Sequence, residues 1–347
     1  MMSNLYVDIH VLQNVPPSCI NRDDTGSPKT AKYGGAVRAR VSSQAWKHEM
    51  RSMFREMLNE EEVGIRTKKI PQMIARAVKE IDGSIGDEKA DKLALNALGN
   101  TGIKTDKEGL SPVLIFFSAA QAKALARLAI DESKDKKEYQ NALKAAPSVD
   151  MALFGRMVAA DPSLNFDAAA QVAHAISTHA VHNEYDYFTA VDDLTQGEES
   201  GAGHLGTVEF NSATLYRYAT VNVMELQRNL GAQTAEAVKC FAEAFIKAMP
   251  AGKQNTFANR TLPDFVYVTL RTDQPVNLVG AFEKPVSGVN GYLEVSEKKF
   301  REYAGAIYQK FACAPEKVWE FGEMDILQIL EGVESAVREK LTESRGE

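Results

Sequence analysis

Leu5, Val7, Ile9 and Val11 alternate with Tyr6, Asp8 and His10, a period of two that predicts a strand with one buried face. Pro16 and Pro17, then the stretch NRDDTG from Asn21 to Gly26, mark a turn-rich loop. A second alternation at Val37, Ala39 and Val41 is expected to send Arg38, Arg40 and Ser42 to the opposite face, with both arginines on one side. Ser42 or Ser43 can cap the following helix, whose apolar positions are Trp46, Met50, Met53 and Met57. Gln44, Lys47, Arg51 and Arg55 recur at steps of three and four and form a polar stripe beside the capped end.

From about Glu60 to Val172 the pattern turns alanine-rich and helical, in KIPQMIARAVKEI, AAQAKALARLAI and KKEYQNALKAA, which reads as an inserted helical subdomain. His182 to Gly206 follows, and its middle, NEYDYFTAVDDLTQGEES, has no lysine or arginine; an exposed loop or hairpin is expected. Strand-like alternation returns at Thr207 to Phe210 and at Leu215 to Met224. A helix is then predicted from Thr234 to Met249 with Val238, Phe241 and Phe245 inward, a loop from Pro250 to Asn255, and a strand at Phe265 to Leu270. With the insertions removed, the order is β-α, a β-β pair, then α-β, the ferredoxin-like arrangement that RNA-recognition domains share. Two amphipathic helices, near Ser296 to Phe311 and Ile326 to Glu343, close the pattern.

With 347 residues, 44% of them hydrophobic, the chain can bury a sizeable core in two or three structural units. MMSNLYVDIH lacks the basic start and apolar run of a signal peptide, and the apolar stretch from Val113 meets Lys123 well short of the roughly 18 residues of a membrane span. A cytoplasmic protein is expected. Cys19, Cys240 and Cys313 form no C-x-x-C pair and read as structural thiols. The net charge of -7 argues against indiscriminate coating of nucleic acid. It is uneven: up to Arg55 there are eight Lys or Arg against four acids, or +4, which leaves -11 for the rest. A local cationic site on an acidic body suits a held polyanion.

The serine pair at a strand-to-helix junction can offer backbone N–H groups, hydroxyls and the helix dipole to a phosphate, with Lys47 and Arg51 one and two turns on. Arg38, Arg40, Arg22, Lys29 and Lys32 favour that reading over an ordinary capped helix with a solvated basic face. Gly201 to Gly206 matches G-x-G-x-x-G, but strand-like residues follow it where dinucleotide binding needs a helix. His174, His179 and His182, at helical steps of five and three, do not converge on a metal and are read as capping and packing residues at a helix end. Asp23-Asp24 and Asp192-Asp193 are of the kind that can hold Mg²⁺, though loop acids usually do not. Lys134, Lys136, Lys137 and Lys144 alternate with acids and read as a solvated face unless a second nucleic-acid strand passes there. No metal site or cofactor is expected, and no nucleophile motif is present.

The runs SCINRDDTGSPK and YGGAVRARVSSQAWKHEMR, then GRM at Gly155 to Met157, AHAISTHAV from Ala173, DYFTAVDD from Asp186 and HLGTVEFNSATLYRYA from His204 resemble the backbone subunit of the type I-E CRISPR complex Cascade, the CasC family of the RAMP superfamily. The resemblance runs to about Leu270 and is weaker beyond. It implies an α+β fold with a ferredoxin-like, RRM-like palm (1-59 and 215-347), helical fingers (60-181) and a hairpin thumb (182-214). It implies a cytoplasmic subunit that stacks head to tail with copies of itself along CRISPR RNA, joins other Cascade subunits, and displaces bases at intervals so that target DNA pairs with the segments between.

By motif, the resemblance places Arg22, Lys29, Ser42, Gln44, Lys47 and Arg51 on the RNA backbone; Arg38, Arg40, Ser43, His48 and Lys253 are expected to contact the RNA beside them. Met157 would wedge beside a displaced nucleotide, covered by Phe188, Thr189, Val191 and Leu205 of a neighbour's thumb. Lys134, Lys136, Lys137 and Lys144 transfer only loosely as target-strand contacts. The expected function is a non-catalytic RNA-binding scaffold, because phosphate contacts are sequence-independent and the guide supplies specificity. Two alternatives stand beside it: a metal-dependent RNA endonuclease of the type III RAMP kind using Asp24, and a single-strand binder acting alone.

Overall fold

The structure, a computed structural model, describes residues 4–158, 162–189 and 205–346, the side chains of Ser163, Leu205, Arg345 and Gly346 excepted. In chain order the elements are β1 (Tyr6–Ser18), β2 (Thr30–Tyr33), β3 (Ala36–Val41), α1 (Ser43–Met57), β4 (Ile65–Thr67), α2 (Ile70–Ile81), α3 (Asp87–Asn100), β5 (Ile115–Phe117), α4 (Ala119–Ile130), α5 (Lys136–Lys144) and α6 (Val149–Phe154). They continue as β6 (Ala170–Val172), β7 (Ala175–Ser177), β8 (Glu184–Thr189), β9 (Leu205–Asn222), α7 (Val223–Leu230), α8 (Thr234–Lys247), α9 (Gln254–Phe257), β10 (Phe265–Arg271), α10 (Leu293–Lys310), β11 (Lys317–Glu320) and α11 (Ile326–Gly346). The chain divides into two units: residues up to 50, 172–220 and from 241 on form the first, and 51–171 with 221–240 the second.

The first unit carries a sheet in the order β11-β10-β1-β9-β7-β3-β2. Within it, β10-β1-β9-β7, with α1 following β1 and α8 following β9, has the strand order of a ferredoxin-like sheet, so the α+β fold expected from the pattern is the fold observed. β1 lies antiparallel to β10, from Tyr6 opposite Arg271 to Leu12 opposite Phe265. The alternation along β1 misleads about burial: every residue from Val7 to Gln13 is buried. Asp8 and His10 face an aromatic layer rather than water. Tyr218 Oη donates to Asp8 Oδ1 at 3.0 Å, and His10 Nδ1 is 2.9 Å from Tyr216 Oη. β1 also stays extended through Pro16 and Pro17, both exposed near its end, where no ladder N–H is needed.

Three further expectations change. The alternations at 207–210 and 215–224 belong to one strand, β9, and the partner that completes the β-β pair is β7. His174, His179 and His182 lie on and around β7 rather than on a helix. On α1 the fully buried residues are Trp46, Met50 and Phe54, in steps of four, while Met53 and Met57 are half-buried. Cys19 and Cys240 are buried as expected of structural thiols, whereas Cys313 is exposed.

The second unit is built on α2, α3, α4 and α5. Ile70, Ile74 and Val78 of α2, Ala90, Ala94 and Leu98 of α3, Leu125 of α4, and Tyr139 and Leu143 of α5 form its core. The small alanine faces let these helices approach closely. Ser118 and Gln121 close a capping box at the start of α4, and β4 pairs with β5 beside the bundle. No described helix is long and apolar enough to cross a membrane.

Candidate nucleic-acid interface

The N-terminus of α1 is fixed from two sides of the chain. Ser42 is buried; its hydroxyl accepts from Ala45 N–H at 3.3 Å, while its own N–H donates to Asn21 Oδ1 at 2.9 Å. The backbone continues the join, since Lys29 N–H donates to Asn21 O and Arg40 N–H to Lys29 O. Lys29, Arg40, Ser43 and Gln44 thereby come together around a helix N-terminus whose dipole favours an anion. Arg40 is held by Nε to Thr30 O at 3.2 Å, and its Nη1 lies 3.3 Å from His174 Nδ1. Ser43 N–H donates to that same Nδ1 at 3.4 Å, so the capping role read for His174 is exercised here. Burial first, then the charges of Arg40 and Lys29, lowers the His174 pKa. A ring nitrogen that accepts twice belongs to the neutral tautomer with its proton on Nε2.

Loop 20–29 presents Arg22. Its shape depends on Asp23, whose Oδ1 accepts from Thr25 N–H at 2.9 Å, Thr25 Oγ1 at 2.7 Å and Ser27 N–H at 3.0 Å. The Thr25 hydroxyl is the largest of the bonds that lower its pKa. Asp23 is thus an Asx-turn residue, and Asp24 beside it is exposed. Lys253 enters from the loop after α8, and its charge reaches the same segment, acting on the Cys19 thiol together with Arg22. Gln44 and His48 are exposed on α1; the His48 ring meets Glu49 Oε1 at 3.0 Å. Lys47, one turn into α1, is half-buried.

Two of the residues expected to contact RNA are engaged within the protein. Arg38 is fully buried, and its guanidinium donates to the carbonyls of Ser177 at 2.9 Å, Phe282 at 2.9 Å and Glu283 at 3.1 Å. It does not share an open face with Arg40, because β3 is covered on both sides at that point, while Val37 is 49% exposed. Arg51 is also engaged: Nε donates to the buried Asp150 Oδ2 at 2.9 Å, Nη2 to Gly64 O at 3.1 Å, and the group lies 4.5 Å from the Phe116 ring centre. Both are structural arginines that hold the fold together around the site.

The second unit contributes Met157, which is 84% exposed. The two residues before it explain that exposure. Gly155 has φ 77°, and a Cβ there would stand 2.9 Å from Phe166 O. Arg156 is buried, donating to the carbonyls of Leu164 at 2.9 Å, Phe116 at 3.2 Å and Leu143 at 2.9 Å while its guanidinium lies over Phe166. A glycine that permits the turn and an arginine that anchors it leave the methionine projecting. In the first unit, β8 and the start of β9 form an antiparallel hairpin, Glu184 opposite Phe210 and Thr189 opposite Leu205. Every β8 residue is exposed, and Phe188 lies over Gly206, where a Cβ would meet its ring at 2.3 Å. Val191 and the Asp192-Asp193 pair lie outside the described residues, as does the start of the G-x-G-x-x-G match; Gly206 stands on a strand. Lys134, Lys136, Lys137 and Lys144 are all exposed on and before α5. Among the described residues no cluster of three or more His, Cys, Asp or Glu could hold a metal.

The model of the CT1975-like protein family matches residues 7–343. No curated protein matches. Among solved structures, a chain of a "CRISPR RNA-guided surveillance complex, pre-nicking" is 33% identical, with 96% of this chain and 100% of that chain covered and a TM-score of 0.80. A chain of a second "CRISPR RNA-guided surveillance complex" is 28% identical, with coverage of 96% and 98% and a TM-score of 0.61.

Proposed function

Because the chain belongs to the CT1975-like protein family, we propose that it is a non-catalytic backbone subunit of an RNA-guided CRISPR surveillance complex of the Cascade kind, gripping guide RNA and stacking head to tail with its own copies. The observation that carries the reading is the likeness, at full length on both sides, to chains of such complexes. The surface of the first unit is chemically suited to the task. Arg22, Lys29, Arg40, Lys47 and Lys253 are cations that ignore base identity, as a protein holding any guide must. Gln44 and the His174 ring supply neutral donors beside them.

Met157 and the β8-β9 hairpin suit the apolar part of the task. An exposed methionine on a rigid turn can fill the space beside an unstacked base, and a hairpin strand without lysine or arginine can cover it without clasping phosphates. Asp24 lacks companions for a metal-held phosphate among the described residues, and Asp23 already serves the loop.

The test is to purify the protein with its associated components from its host and sequence the bound RNA. Guides of uniform length that begin and end in repeat-derived sequence are expected, with several copies of the chain per guide. A preparation free of RNA, or one carrying random cellular fragments, defeats the reading. The same preparation given complementary RNA and Mg²⁺ is expected to leave it intact; regularly spaced cuts that disappear in Asp24→Ala would replace the scaffold with a nuclease.

A further inference from the structure

The loop after α8 is held at both ends by backbone that few side chains tolerate. Gly252 lies so close to β1's outgoing segment that a Cβ there would stand 2.2 Å from Ile20 O and 3.1 Å from Cys19 O. No methyl group fits that space unless one backbone moves away from the other. Lys253 follows with φ 49° and ψ 26°, and Ala258, five residues on, has φ 47° and ψ 39°. Both are left-handed conformations that L residues seldom hold.

Between them the turn is tied internally. Thr256 and Phe257 N–H donate to Lys253 O at 3.0 and 3.1 Å, and Ala258 N–H donates to Gln254 O at 2.8 Å. Phe257 leans on Phe210 with ring centres 5.8 Å apart. Conformations of this kind persist only where their surroundings over-determine them, and they gather at functional sites.

The result of the constraint is electrostatic. Gly252 lines the same open hollow as the residues from Ile20 to Gly26, with Arg22 on its wall. Lys253 and Arg22 both act on the Cys19 thiol beneath, opposing the upward push of burial on its pKa. Two cations from distant parts of the sequence are therefore brought to one patch.

We propose that Gly252 is a positioning residue for RNA binding: its bare Cα lets the loop lie against the Ile20 carbonyl, so that Lys253 stands with Arg22 over one stretch of phosphate backbone. Ala258 fixes the far end of the same loop. The inference rests on the RNA-gripping reading above, and it adds a residue that cannot touch RNA with any charge of its own.

A double-mutant cycle tests it, with the full chain, a labelled single-stranded RNA of mixed sequence, and anisotropy titrations across a KCl series. Lys253→Ala is expected to weaken binding roughly tenfold and to lower the salt slope by about 0.7. Gly252→Ala should weaken binding by a similar factor in the native background but by less than about twofold in the Lys253→Ala background, because its effect passes through that lysine. Equal factors in both backgrounds overturn the inference. Ala258→Val, whose branched side chain disfavours the left-handed conformation, runs through the same cycle and gives the answer if Gly252→Ala does not fold. Native-like binding by Lys253→Ala also overturns it, whereas a wild-type chain that binds no RNA defeats the functional reading itself.

Discussion

Asp8 shows how far a residue's setting can depart from its sequence pattern. It alternates with apolar neighbours and so reads as a solvent-facing position, yet it is fully buried, accepting from Val276 N–H at 2.8 Å and Tyr218 Oη at 3.0 Å. Burial raises its pKa from 3.8 to about 6, against the opposing influence of Thr220, the bonds from Val276 and Tyr218 and the charge of Arg271. The sign of the stability effect follows. Between those two values the folded chain keeps a proton that the unfolded chain has lost, so the contribution of Asp8 is greatest below about pH 4 and falls away as pH rises through 6. The loss amounts to about 3 kcal/mol. A carbon-detected NMR titration of the Asp8 carboxyl is expected to show a midpoint near 6; a midpoint below about 5 would mean the aromatic layer is wetter than its packing indicates. His10, next along the strand and enclosed by the same rings, is driven the other way, to about 3, and stays neutral over that range.

At the scale of elements, α1 was legible as a capped helix, but the sorting of its cations was not. Lys47 and Arg51 share a stripe by spacing, yet Arg51 is committed to Asp150, which lies 99 residues away in sequence. No local pattern can reveal such a partner. Arg51→Ala strands a carboxylate that is 0% exposed, with Ser148 Oγ and Gly64 N–H as its remaining donors. We expect a loss of about 3 kcal/mol in denaturant unfolding, while single-stranded RNA affinity of the folded protein stays within about twofold of native. A tenfold loss of affinity with unchanged stability would restore Arg51 to the grip. The sequence pattern of β9 reads as two strands for a related reason. Its alternation breaks near Asn211 to Thr214, where the strand leaves β8 (Phe210 opposite Glu184) and joins β7 (Leu215 opposite Ser177), so a partly exposed strand becomes one buried on both faces. The hairpin itself was visible in the sequence, because a stretch without lysine or arginine and bounded by turn residues has few other uses.

For the whole molecule, charge was the most informative sequence-level quantity, and the structure reduces rather than enlarges the charge available to RNA. Of the eight cations up to Arg55, Arg38 and Arg51 are spent on the fold. The grip proposed for RNA then consists of Arg22, Lys29, Arg40, Lys47 and Lys253, set in a chain whose remainder is strongly acidic and repels phosphate elsewhere. Each phosphate contact with a single strand contributes about 0.7 to the salt dependence, so five contacts give a slope of about -3.5 in log affinity against log salt for each chain bound. Replacing Lys134, Lys136, Lys137 and Lys144 together with alanine removes four exposed cations from the second unit and is expected to leave that slope unchanged for single-stranded RNA. A native slope steeper than about -6, or one that falls by two or more in the quadruple variant, would show that the helical unit also binds the guide backbone. The division of labour between a cationic patch on the first unit and a second unit that presents Met157 would then have to be abandoned.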